Sequence, residues 1–252
     1  MSITPQSLPG SRAAFVEDLV TANHILFDQN VVDAFGHVSV RDPVNPQQFL
    51  LARNIAPAQV TEADILLFDL EGHPVSPTSA RLYLERFIHS EIYRRWPEIN
   101  AVVHSHSPTV VSFSILKNVP LRATMHMAGF VGTKVPIFDM REVRGDGTDL
   151  LIRDAELGRH LAEHFKQDKL VLMRGHGSTV VADTLHRAVY RAIYAETNAR
   201  CLKEAMLMGE VSALSAAECS GAAAVEAEVQ RPWAFWKEQA QQRRPLPPAP
   251  SA

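Results

Sequence analysis

The stretch NAVVHSHSP, residues 100–108, drives an apolar run into two histidines spaced i, i+2. The run reads as a central strand, and PTVVSFSIL (108–116) begins a short helix with Pro108 at a tolerated early position. Residues two apart on a strand project from the same face, so His104 and His106 can present two imidazoles to one point. Two neutral ring nitrogens suit a first-row divalent metal, but two ligands are not a site. A pair of hydrogen-bonded histidines at a strand end is the plain alternative.

On the N-terminal side, ARLYLERFIHSEIYRRW (80–96) reads as a helix stopped by Pro97, with Leu84, Phe87, Ile88 and Ile92 as its buried stripe. Before it, GHVSVRD, QFLLAR and DILLFDLEGHPV read as short strands, the last turning at Glu71-Gly72. SRAAFVEDLVTANHILFDQN puts Phe15, Leu19, Ala22, Ile25 and Leu26 on one face of a helix opening at Ser11. On the C-terminal side, DLLIRDAELGRHLAEHF (149–165) reads as helical and KLVLMRGHGSTVVA (169–182) as two strands around Gly175 and Gly177. A long helix is expected over 183–209, capped at Asp183 and closed at Gly209. Helices alternate with short strands without repeat or interior linker, so a sheet covered by helices in one α/β domain fits. The domain is placed at 11–240, after an extension over 1–10 and before a Pro-rich tail, 241–252, expected to be disordered.

The totals fit that picture. At 252 residues and 46% hydrophobic, the chain can bury a full core as one large domain. A net charge of −3 gives no reason to expect a nucleic-acid or anionic-membrane partner. Cys201 and Cys219 are too few for a disulfide framework, which points to a reducing compartment. MSITPQSLPGSR lacks the pattern of a signal peptide, and no apolar run reaches membrane-spanning length. The expectation is a soluble cytoplasmic protein. GDGTDLL lacks the Lys-Ser/Thr of a phosphate loop, and no glycine cluster matches a dinucleotide fingerprint.

A third histidine, His176 in VLMRGHGST, also follows an apolar strand, and flanking glycines let backbone and ligand approach closely. Three protein ligands with an open position make a catalytic rather than a structural metal site. Glu85 lies one helical turn before His89 among apolar neighbours; facing inward, it would suit proton transfer. The alternative is an exposed glutamate paired with Arg81 or Arg86.

These blocks together, GHVSVRD, then E-x-x-x-H-x-x-I-Y…P-E-I-N-A-V-V-H-S-H-S, then VLMRGHG, resemble the class II aldolase/adducin head family, in family order, from about residue 12 to about 210. The resemblance implies a single three-layer α/β/α domain around a central, largely antiparallel sheet, in a homotetramer with active sites near subunit interfaces. It implies His104, His106 and His176 as ligands of one divalent metal ion per subunit, zinc or manganese before iron or cobalt. It also implies Glu85 as the acid/base residue, or a fourth ligand when no substrate is bound.

Departures from the sugar-phosphate aldolases narrow the substrate. Where those enzymes carry a Gly-Asn, this chain has His37; the next turn reads ARNIAP, with Arg53 where a small residue would leave room for phosphate; and Thr78-Ser79 is separated from Glu85. The phosphate cup is lost, and Arg53 and Arg81 offer forks suited to a carboxylate. YLERFIH, MHMAGFVG and VLMRGHG look like the subgroup that decarboxylates hydroxylated aromatic or pyridine carboxylates. The resemblance therefore implies a carbon–carbon lyase, a decarboxylase of a small-molecule carboxylate, with an aldolase or epimerase acting on a sugar or sugar acid as the rival. A non-catalytic adducin-like scaffold is the rival from another class. His126 in TMHMAG is a candidate pocket residue for proton transfer, its alternative a packed histidine. Tyr194 and Asn198 share a helix face and are candidates to reach the site, against ordinary helix packing. RPWAFWKEQ either covers a site or anchors the C-terminal segment to its own core.

Overall fold

The strand Ala101–Ser105 stands in the middle of a seven-stranded sheet, where the apolar run of NAVVHSHSP places it. The computed structural model describes residues 10–244; nearly all of the expected N-terminal extension and most of the Pro-rich tail lie outside the described residues. In chain order the elements are α1 (Arg12–Asp28), β1 (His37–Arg41), β2 (Gln48–Ala52), β3 (Ile65–Asp69), α2 (Arg86–Arg95), β4 (Ala101–Ser105), α3 (Pro108–Ser114), β5 (Ile137–Phe138), α4 (Arg141–Arg144), α5 (Ala155–Ala162), β6 (Leu170–Met173), β7 (Gly177–Ala182), α6 (Leu185–Met208), α7 (Ala216–Ala222) and α8 (Gln230–Arg243). The sheet order is β3-β2-β1-β4-β7-β6-β5, and every pair is antiparallel except β5–β6.

Both faces of the sheet are covered. Ala101 and Val103 of β4 enter one buried cluster with residues of α1, α3, α6 and α8. Val102 enters a second cluster with residues of α2 and α5. This is the expected three-layer α/β/α arrangement with a largely antiparallel sheet. Side chains alternate along a strand, so His104 lies on the Val102 face and points into the α2/α5 layer. The same face of β1 carries His37, Ser39 and Arg41, all buried. A strand alternating apolar and polar usually turns its polar side to water; here that side lies under α2 and its groups are paired internally. Arg41 donates to the carbonyls of Pro46, Tyr93, Trp96 and Ile99.

Three sequence expectations are corrected. The helix expected over 80–96 begins only at Arg86, with Glu85 at its N-cap. The residues before it are held extended against the β2–β3 loop, where Asn54 N–H donates to the Arg81 carbonyl and the Tyr83 hydroxyl to that of Ile55. Leu84 consequently leaves the buried stripe and is 49% exposed. Helix α5 starts at Ala155, capped by Asp154, so residues 149–154 are not helical. Helix α6 is capped by Thr184, whose hydroxyl accepts from Arg187 N–H, rather than by Asp183. At the other end of the chain, α8 packs Trp233 and Trp236 into the first core, with Trp233 stacked on His186, so the aromatic segment anchors to its own domain.

Gly177 fixes how closely β7 can approach the end of β4. A Cβ at this position would lie 2.2 Å from the Ser105 carbonyl oxygen and 3.0 Å from the His106 ring. Backbone cannot yield cheaply, so Gly177→Ala should cost at least about 2 kcal/mol, the scale of overpacking in a tight core. Urea denaturation would read it, and an unchanged midpoint would contradict the packing.

Candidate metal centre

Two strand ends and one helix start converge on a single point. His104 is the penultimate residue of β4, His106 directly follows the strand, and His176 sits in the turn between β6 and β7. The β4–β7 pairing, Ser105 opposite Ser178, brings the turn beside the two histidines. His106 Nε2 lies 3.0 Å from His104 Nε2 and 3.0 Å from His176 Nε2. The carboxylate of Glu85 closes the group from α2, its Oε2 3.6 Å from His104 Nε2 and 3.5 Å from His176 Nε2. One ligand atom from each of the four residues lies within 4.8 Å of every other.

The chemistry of this donor set fits a divalent cation. Nitrogens about 2.0–2.1 Å from a tetrahedral ion stand about 3.3 Å apart, close to the spacing here. Burial holds His104 well below the ordinary imidazole pKa, and burial with the neighbouring His176 lowers His106. Both are therefore neutral and ready to ligate. Lone pairs crowded this closely repel unless a cation or a proton lies among them. The Nδ1 of His176 is buried without a partner, while His104 Nδ1 lies 3.5 Å from Thr179 Oγ1.

Glu85 is held by a residue that sequence reasoning missed. Its Oε1 accepts from Ile152 N–H at 2.9 Å, leaving Oε2 for the histidines. Ile152 can do this because the segment before α5 is not helical, with Leu150 at φ +67°. The turn carrying His176 is braced twice: Arg174 pairs with Asp139, and Gly175 N–H donates to Ser114 Oγ. The Arg141 and Arg174 guanidiniums hold the Asp139 carboxyl well below the usual range. No local motif announces these supports, since each joins residues distant in sequence.

Of the other expected residues, His37 lies beside the cluster: it faces His104 across the β1–β4 pairing, with ring centroids 5.0 Å apart. Arg53 is tied through Nε to Asp64 at 2.7 Å, and Arg81 is exposed. His126 and Tyr194 line a separate cavity of about 250 Å³ with Tyr190, Arg231 and Phe235. Asn198 is a packing residue, accepting from Thr124 and donating to the Arg122 carbonyl. Both cysteines are free thiols. Among the described residues no helix is long and apolar enough to cross a membrane.

The chain that folds this way matches a known family. The model of the class II aldolase and adducin N-terminal domain covers residues 17–202, and the chain belongs to that family. Within it, decarboxylase tropJ of Talaromyces stipitatus is 41% identical over 221 residues, 83% of this chain and 80% of that protein. A 3,4-dihydroxyphthalate decarboxylase of Arthrobacter keyseri is 32% identical over 204 residues, 75% of this chain and 77% of that protein. Among solved structures, L-fuculose 1-phosphate aldolase from Glaciozyma antarctica PI12 aligns with a TM-score of 0.77 at 23% identity, over 96% of this chain and 95% of that one, which shows the common fold.

Proposed function

We propose that the protein is a metal-dependent decarboxylase of a hydroxylated aromatic or heteroaromatic carboxylate. The observation that carries this is the Glu85 carboxylate held against three imidazoles, one oxygen fixed by Ile152 and the other facing His104 and His176. The two relatives described above, both named as decarboxylases, support it. His104, His106 and His176 would hold the ion. An ion held there would supply Lewis-acid stabilisation of the negative charge that develops on the substrate as carbon dioxide departs. In its protonated form Glu85 would give its proton to the ring carbon that loses the carboxylate; that carbon binds the proton with the electron pair left by the broken carbon–carbon bond as carbon dioxide leaves. The resulting Glu85 carboxylate would take a proton back from water.

The rim suits a ring substrate. Phe35, 68% exposed, places its ring 6.4 Å from that of His106, and Ile115, 58% exposed, lies against Gly175. In this reading Arg53, with Nε on Asp64, turns its remaining guanidinium nitrogens to a second carboxylate, and Arg81 assists from the surface. His126 and Tyr194 would serve a neighbouring subunit's site in a cytoplasmic homotetramer. Light scattering tests that assembly, and a monomer would leave those two residues without a catalytic role.

The substrate assignment is tested by carbon dioxide release from ortho-hydroxy aromatic and pyridine carboxylates, with chelated protein as control. Release that stops on chelation and returns with zinc or manganese is expected. Turnover of a sugar or sugar acid in place of the whole panel would sink the decarboxylase reading in favour of an aldolase or epimerase.

A further inference from the structure

The buried polar face of β1 continues the site inward. His37 Nδ1 lies 2.6 Å from His89 Nε2, His89 Nδ1 lies 2.6 Å from Ser39 Oγ, and Ser39 Oγ lies 2.7 Å from the Tyr93 hydroxyl. All four residues are buried. Burial holds His89 down at about 3 and pushes the Tyr93 phenol up, so these two members of the chain are uncharged at neutral pH.

Counting protons along the chain gives it a direction. Among the described residues, Ser39 Oγ is the hydrogen-bond partner of the Tyr93 hydroxyl. With Tyr93 donating, the single Ser39 proton goes to His89 Nδ1, the His89 proton sits on Nε2 and goes to His37 Nδ1, and the His37 proton is left on Nε2. Reversing every bond would leave the sealed Tyr93 O–H without an acceptor, a costly arrangement. The His37 Nε2 has no protein partner and is not among the sealed, unpartnered atoms of the described residues. It therefore keeps a share of the small exposure of His37, a residue 4% exposed whose ring is packed between His104 and Tyr83.

We infer that His37 contacts the substrate as a neutral hydrogen-bond donor through Nε2–H, and that His89, Ser39 and Tyr93 are positioning residues that lock it in this tautomer. Resting on the proposed decarboxylase site, this makes His37 the donor to an anionic substrate oxygen, a carboxylate or the ring oxygen that gains charge. A preorganised neutral donor stabilises such an oxygen without giving up its proton. It also selects against substrates that present a donor at that point, since two donors would face each other.

The test is long-range proton–nitrogen NMR of zinc-loaded protein labelled with ¹⁵N-histidine, His37 being assigned by its loss in His37→Gln. A proton on Nε2 and a bare Nδ1 are expected for His37, with a second set of signals protonated on Nδ1 appearing in Ser39→Ala. A His37 proton on Nδ1, or an imidazolium at neutral pH, overturns the inference. In kinetics, His37→Phe should lower kcat/KM by about 10²-fold at unchanged zinc content, the scale of one lost preorganised donor. His37→Gln, which keeps an N–H in place, should recover much of that loss; equal activities of the two variants would also overturn it. The NMR needs no substrate. A silent decarboxylation panel would thus remove the decarboxylase reading and leave the tautomer standing, whereas a proton on Nδ1 would do the reverse.

Discussion

Glu85→Gln is expected to lower turnover by about 10²-fold or more, the usual scale for a lost acid/base group, while metal content stays at the wild-type level. Glutamine has nearly the same shape, and its amide oxygen can still accept from Ile152 N–H, so the local fold has little reason to change. Glu85 occupies the N-cap of α2 without a side-chain capping bond, so the helix loses nothing. All three imidazoles remain, and three nitrogens suffice to hold a divalent ion with an open position. What disappears is a group able to carry a proton to carbon. Metal analysis and single-turnover kinetics, on whichever carboxylate is processed, separate the two effects. Turnover near wild type would move the proton donor elsewhere, and loss of the ion would make Glu85 a ligand first.

The split between what the sequence shows and what only the fold shows has a physical pattern. NAVVHSHSP could be read because strand geometry is local: period two puts His104 and His106 on one face whatever surrounds them. His176 was legible through the strand before it and the glycines beside it. The start of α2 was not, because residues 80–84 have helical propensity and are overridden by hydrogen bonds to the β2–β3 loop. The non-helical run before α5 is a similar case, its Ile152 amide serving a carboxylate 67 residues away. The polar positions of β1, His37, Ser39 and Arg41, have the alternation of a solvent face and form a buried one. Periodicity reports which residues share a face; it does not report whether water or a second layer of helices lies beyond it.

Those buried histidines should make the metal-free protein acid-sensitive well above the carboxylate range. His37 and His89 are buried and uncharged, with folded-state pKa values below the ordinary 6.5 because of desolvation. For such a group the unfolded chain binds the proton first. Stability is therefore full above about pH 6.5 and falls as the pH drops toward the folded value. His89, held at about 3, should cost about 2 kcal/mol between pH 7 and pH 5, at ~1.4 kcal/mol per unit once the unfolded imidazole is charged, and His37 acts in the same sense. His104 and His106 add to the loss when no ion protects them. Glu91 and Asp168, whose carboxyls are raised by burial, act in the opposite sense. The lowered aspartates, Asp18 and Asp42 among them, weaken the fold only at still lower pH. Urea denaturation in chelator from pH 8 to pH 5 measures the slope directly. His89→Gln, which removes one titrating ring from the buried chain, should flatten that slope by about 1.4 kcal/mol per pH unit below pH 6. A slope indifferent to the substitution would mean that His89 gains its proton without unfolding, through an opening of the α2 layer.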